Sequence, residues 1–434
     1  MPLKHSVEEI TLKNGARGLF IHTPDATSVH YDIHFWAGTL FVDDPNRSQA
    51  AHIMEHLSFG ANEVHSSPEA FSQDFSKNGA YHNARTSNID MSYYVDAAHM
   101  EWERILDLQL LAISKPKYTE KGLKAEKGNV HEELVGYANN HRRILWGEIM
   151  RSAGLRRWYD PDELKTIDGV QLKDIVNHFE RTHTTNNMHF VFAGDLAEHK
   201  DTIIAKLEAV PLKPGERLEI PKDVAKPTGP VSIVRKDLPG VTFQLVFFIN
   251  RELTRDEMQT LSIVTHVLTG TFHSRIYGEA RARGICYGMG SYYSSSPMGV
   301  ADFSINGQVS LTNAQELFEL IVREVKAVLK NGISEEELQQ AKEYHLGSVQ
   351  MSWETVSSLV NWYDEEYYET GRIDYLEDLT GRIEKTSRED VQKILKEFVE
   401  TGLWTLGSIG NINPDEFRTY YDLFQEKLIQ ETVQ

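Results

Sequence analysis

The segment AHIMEHLSFG (51–60) places His52 and His56 four residues apart, with Glu55 directly before the second histidine. On a helix, at ~100° per residue, all three side chains share one face. Two imidazoles at i and i+4 can grip one Zn2+, which takes nitrogen ligands in tetrahedral geometry. Glu55 would then stand beside the metal without binding it. There it could deprotonate a zinc-bound water whose pKa the metal lowers towards ~7. The order His-x-x-Glu-His inverts that of the zincins and presents the same chemistry in the opposite chain sense. With 18 His and 64 acidic residues in 434, about 0.1 chance matches are expected, so the pattern is evidence for a site but alone leaves open an ordinary helix whose histidines pair with Glu55 or solvent.

A catalytic zinc needs a third protein ligand and an open position. The best candidate lies in AEKGNVHEELVG (125–136), a carboxylate-rich helical stretch. Glu126 and Glu133 are about two turns apart and project from one face, while Glu132 points roughly 100° away. If Glu133 binds the metal, Glu126 is placed to support the site from behind. His131 reads as a surface residue.

Several elements must bring these residues together. Asn14-Gly15, between two strand-like runs, marks a hairpin at the start of the chain. SVHYDIHFWAG (28–38) reads as a strand, with Val29, Tyr31, Ile33 and Phe35 alternating against His30, Asp32 and His34. The motif helix follows, then a strand over 91–98, an amphipathic helix over 100–114, and a long helix from about 120 through 140. The stretch 210–230 carries five prolines; these fix φ and remove backbone donors, so it reads as an exposed linker. Both flanking parts end alike. LKDIVNHFERTHTTNNMHFVFAGDL and REDVQKILKEFVETGLWTLGSIGNI each run helix, strand, glycine, and Gly194 and Gly410 are 216 residues apart. An internal duplication follows, with related α+β domains over 1–209 and 231–434.

Composition bounds the partners. Lys plus Arg is 45 against 64 acidic residues, a formal charge of −19. Nucleic acid and anionic membranes both call for a basic surface, so neither is expected as a partner. The one cysteine, Cys286, allows no intramolecular disulfide and fits a reducing compartment. The start has no apolar segment behind a basic one, and no apolar run is long enough to span a bilayer. The cytoplasm is the expected location.

The motif and its surroundings resemble the inverzincin metallopeptidases, the family of pitrilysin, insulin-degrading enzyme and the mitochondrial processing peptidase. Here 76 residues separate His56 from Glu133, matching the interval at which that family places its ligand glutamate. The family's supporting glutamate, seven residues earlier, falls on Glu126. WAGTLFVDDPNRSQAAHIMEHLSFGA, NGAYHNARTSNIDMSYYV and GTFHSRIYGEARARGICYGMGSYYS are similar to family segments in both parts of the chain.

The resemblance implies two similar α+β domains, each an antiparallel sheet flanked by helices, forming half of a clamshell. It implies a homodimer, or a heterodimer with a related subunit, closing around peptides or unfolded segments. His52, His56 and Glu133 would hold one Zn2+ per chain, with Glu55 as general base and Glu126 behind the ligands. Asn83 and Ala84 match the edge strand that receives the substrate. Tyr287 matches the family's substrate-side Tyr, but Ala280 stands where its Arg is usual, and Arg281 is one step out of register. The implied activity is that of a zinc endopeptidase; the alternative is a non-catalytic or partner-dependent scaffold subunit of the same fold.

Overall fold

A computed structural model describes residues 3–431; the outermost ends of the two expected domains, 1–2 and 432–434, lie outside them. The chain forms two compact units. The first comprises Met1–Tyr137, Asp160–Pro221 and Val349–Tyr375; the second comprises Ala138–Tyr159, Lys222–Ser348 and Leu376–Gln434.

In the first unit, β1 (Ser6–Thr11) and β2 (Arg17–His22) form the hairpin read from Asn14-Gly15, with Thr11 opposite Arg17. They join β3 (Ser28–Phe35), β4 (Tyr81–Thr86), β5 (Met91–Ala98) and β6 (Met188–Gly194) in the order β1-β2-β6-β3-β5-β4. In the second unit, β7 (Val231–Val234), β8 (Val241–Ile249), β9 (Met289–Ser296), β10 (Val300–Val309) and β11 (Trp404–Gly410) run β7-β11-β8-β10-β9. Raising each number in β2-β6-β3-β5-β4 by five gives the second order. The repeat glimpsed in two helix–strand–glycine endings is thus a repeat of whole-sheet topology, and both units are α+β.

The sheets are mixed rather than antiparallel. β6 runs parallel to β2, and β11 parallel to β7, while their other pairings are antiparallel. A tight turn would force an antiparallel neighbour. β6 and β11 instead return through long helical connections, which permit a parallel pairing. Each of these strands ends on a glycine. At Gly194 φ is 145°, and a Cβ would stand 2.9 Å from Val29 Cγ1 and 3.1 Å from Ser28 O. Gly194→Ala is therefore expected to destabilise the fold by about 1–3 kcal/mol, read from denaturant unfolding.

β3 and β6 are buried along nearly their whole length. Helix Trp102–Ser114 packs on the sheet, where Gln109 Nε2 donates to the carbonyls of Tyr31 (3.3 Å) and Tyr93 (2.7 Å). Helix Val356–Thr370 also packs on β3 and β6. Thr355 caps its start by accepting from Ser358 N–H, and Gly371 ends it at φ 73°. His30, Asp32 and His34, the polar alternates of β3, are consequently buried rather than solvated.

The stretch 210–230 has no helix or strand apart from one bridge between Thr184 and Lys213. It is less exposed than its composition predicts. Leu218 and Ile220 pack against Trp36, Phe41 and Tyr368. Its prolines bar a sheet ladder but not the burial of neighbouring apolar side chains.

Candidate metal centre

The motif lies on helix Ala50–Ser58. Most of its side chains are buried, so its orientation is set on several sides at once. Its N-cap residue, Gln49, caps nothing with its side chain, although Ser, Thr, Asp or Asn would be the usual choice there. Instead, Gln49 Oε1 accepts a hydrogen bond from His52 Nδ1 at 3.0 Å, while Gln49 Nε2 donates to Glu163 Oε2 at 2.9 Å. A local rule gives way where a site residue needs a partner. At His56, Nδ1 donates to Glu126 Oε2 at 3.1 Å. With protons on both Nδ1 atoms, the Nε2 atoms are turned the other way.

Both Nε2 atoms face Glu133. Its Oε2 lies 3.6 Å from His52 Nε2 and 3.5 Å from His56 Nε2. A tetrahedral ion with arms of about 2.0–2.1 Å has ligand atoms about 3.3 Å apart, so these separations fit zinc with little movement. Two imidazoles and a carboxylate also form the donor set of catalytic rather than structural zinc. Tyr137 OH donates to the other Glu133 oxygen at 3.0 Å, one turn along helix Glu120–Tyr137. Glu132, by contrast, is 82% exposed and beside His131, which separates the two adjacent glutamates clearly. Glu126 backs His56 rather than Glu133.

Glu55 is buried, and Thr86 Oγ1 donates to its Oε2 at 3.0 Å from strand β4. Burial pushes its carboxyl up from 4.5 to about 7, against the pull of His56 and Thr86. Burial lowers the His56 pKa, but Glu126 and Glu133 outweigh it and carry it to about 10. Glu133 is held down at about 2, chiefly by its bond from His56. In the metal-free chain a proton on His56 occupies the place of a cation, so metal affinity falls as pH falls.

The shift at Glu55 has a sign that can be checked. Between 4.5 and about 7 the folded chain holds a proton that the unfolded chain has lost. Stability therefore falls as pH rises through that window, by on the order of 3 kcal/mol. Glu55→Gln removes the cost. In chelator-treated samples the variant is expected to melt above wild type at pH 8 and level with it near pH 4.5, by thermal denaturation.

Asn83 and Ala84 lie on β4, at an edge of the six-stranded sheet. Asn83 Oδ1 accepts from Ala84 N–H at 2.9 Å, and Asn83 Nδ2 donates to Tyr81 OH at 3.0 Å. Arg281 and Tyr287 belong to the second unit. Ala280 is fully buried, so the position seven before Tyr287 faces the core. Arg281, the next residue on helix Tyr277–Ala282, sets its guanidinium 4.2 Å over the Tyr287 ring and donates to the Tyr287 carbonyl at 3.1 Å. Tyr287 itself is 82% exposed. Gln49, Thr86 and Tyr137 were not foreseen. Gln49 and Tyr137 had a signal, one turn from His52 and Glu133, but Thr86 comes from another element.

Residues 19–156 match the family model described as insulinase (peptidase family M16), and residues 169–344 match the one described as peptidase M16 inactive domain. The motif and both glutamates fall within the first. The chain is 21% identical to the uncharacterized zinc protease YmxG of Bacillus subtilis, over 90% of this chain and 95% of that protein. It is 25% identical to the non-peptidase homolog YmxG of Helicobacter pylori, over 58% of each. Among solved structures, the peptidase M16 inactive domain from Pseudomonas fluorescens superposes with a TM-score of 0.82 at 19% identity, over 94% of this chain and 99% of that one. Taken with the two successive family models, these likenesses place the chain: it belongs to the insulinase family, peptidase family M16.

Proposed function

We propose that this chain is a zinc-dependent endopeptidase acting on peptides or unfolded segments. The observation that carries this reading is the convergence of His52 Nε2, His56 Nε2 and Glu133 Oε2, with the buried Glu55 carboxyl on the same helix. Bound zinc would supply Lewis acidity to water and to the scissile carbonyl. Gln49 and Glu126 hold the two imidazoles in register, and Tyr137 holds Glu133. Glu55, steadied by Thr86, takes a proton from the attacking water and delivers it to the leaving amine. An extended peptide adds as a strand beside β4, where Asn83 and Ala84 line the edge. Arg281 and Tyr287 supply donors to the substrate. Two chains, identical or related, enclose the peptide in the cytoplasm. Among the described residues no helix is long and apolar enough to cross a membrane.

A second reading is a non-catalytic subunit, favoured by the relative named a non-peptidase homolog. Against it, the inactive-domain description falls on residues 169–344, away from the histidines and glutamates of the site. Incubating the purified chain with a quenched, unstructured peptide separates the two. Cleavage is expected, while a folded protein carrying the same sequence stays intact; no cleavage with zinc present would favour the scaffold.

A further inference from the structure

A second cluster lies in the first unit, on the helix-covered side of its sheet. Asp32 and His34 stand two apart on β3 and so share a face. Asp364 comes from helix Val356–Thr370, and Asp90 from the turn before β5. His34 Nε2 has carboxylate oxygens from two residues at hydrogen-bond distance, Asp32 Oδ1 at 3.1 Å and Asp364 Oδ2 at 3.0 Å. Its Nδ1 is 3.7 Å from Asp90 Oδ2. One imidazole nitrogen carries at most one proton, so it cannot serve both near oxygens. His34 is fully buried, yet neither ring nitrogen makes a hydrogen bond. Asp32 Oδ1, Asp364 Oδ1 and the Tyr368 hydroxyl are orphaned beside it. The group opens on a cavity of about 680 Å3, whose walls include Arg85, Tyr94 and Tyr368.

We propose that Asp32, His34 and Asp364 form a second divalent-cation site, separate from the His-x-x-Glu-His centre. Its donors are one imidazole nitrogen and two carboxylates. An octahedral ion with arms of about 2.1 Å holds adjacent ligands about 3.0 Å apart, close to the separations at His34 Nε2. The carboxylates suit a hard ion, and the imidazole turns the preference from Mg2+ or Ca2+ towards the Mn2+ class. A bound ion would take up two of the orphaned atoms, His34 Nε2 and Asp32 Oδ1, and through Asp364 tie helix Val356–Thr370 to β3. The cavity leaves room for water or a small anionic ligand on the remaining positions.

The test uses the full chain carrying His52→Ala and His56→Ala, so that the motif cannot contribute. Mn2+ is added, and the free-ion electron paramagnetic resonance signal is followed. One Mn2+ per chain is expected to bind, with nitrogen modulation from a single imidazole in the pulsed spectrum. Asp364→Asn, close in shape, is expected to weaken binding at least tenfold. An undiminished free-ion signal, binding without nitrogen modulation, or equal binding in Asp364→Asn would each overturn the proposal. The nitrogen modulation needs no further substitution, so the proposal stays testable if Asp364→Asn does not fold.

Discussion

Glu55→Gln is expected to lower peptide hydrolysis by on the order of 10²–10⁴-fold while leaving bound zinc unchanged. The substitution keeps the side-chain volume and a carbonyl oxygen for Thr86 Oγ1, which stands 3.0 Å from Glu55 Oε2. It removes the group that can accept and return a proton. Burial places the Glu55 carboxyl at about 7 in the metal-free chain, within reach of working pH. Nearby positive charge would draw it lower. The acid limb of kcat/KM is therefore expected below pH 7, with activity rising as pH rises, because the carboxylate is the active form. Steady-state kinetics across pH, with metal content measured on the same samples, checks both parts. The variant is also expected to gain stability at pH 8 in the metal-free state, and melting curves of the assayed samples separate lost chemistry from unfolding.

The second large effect is at Glu133. Glu133→Gln retains an oxygen for Tyr137 OH to bond, but it takes the charge from a carboxylate whose Oε2 faces both Nε2 atoms. Metal affinity is expected to fall by more than the ~10–100-fold typical of a partner behind the ligands. Glu126→Gln, which disturbs only the His56 Nδ1 bond, is expected within that range. Glu132→Gln, on the exposed neighbour, should change nothing. Competition against a chromophoric chelator ranks the three. Equal losses at Glu132 and Glu133 would contradict the facing read from the helix.

How far the site could be read from sequence depended on helical spacing. His52, Glu55 and His56 lie within little more than one turn, and Glu126 and Glu133 within two, so residue order fixes their faces. Pairings inside one turn, His52 with Gln49 and Glu133 with Tyr137, were open to the same rule. Thr86 was not, because nothing in its neighbourhood on β4 marks contact with a helix thirty residues earlier. The alternation along β3 read correctly as a strand, but nothing nearby in the sequence marks the cover that buries His30, Asp32 and His34. Their cover, Val356–Thr370, arrives more than three hundred residues later. The parallel pairing of β6 and β11 was hidden for the same reason, since long connections leave strand direction open. That Ala280 faces the core while Arg281 lies over the Tyr287 ring was likewise not marked by their spacing.

The most direct test of the account is to titrate the metal-free chain with zinc while following bound metal and peptide cleavage together. Cleavage is predicted to rise in proportion to zinc bound at the tightest site and to level off once that site is full. Zinc taken up fully at the His52–His56–Glu133 centre, with no cleavage of an unstructured peptide at any occupancy, would contradict it.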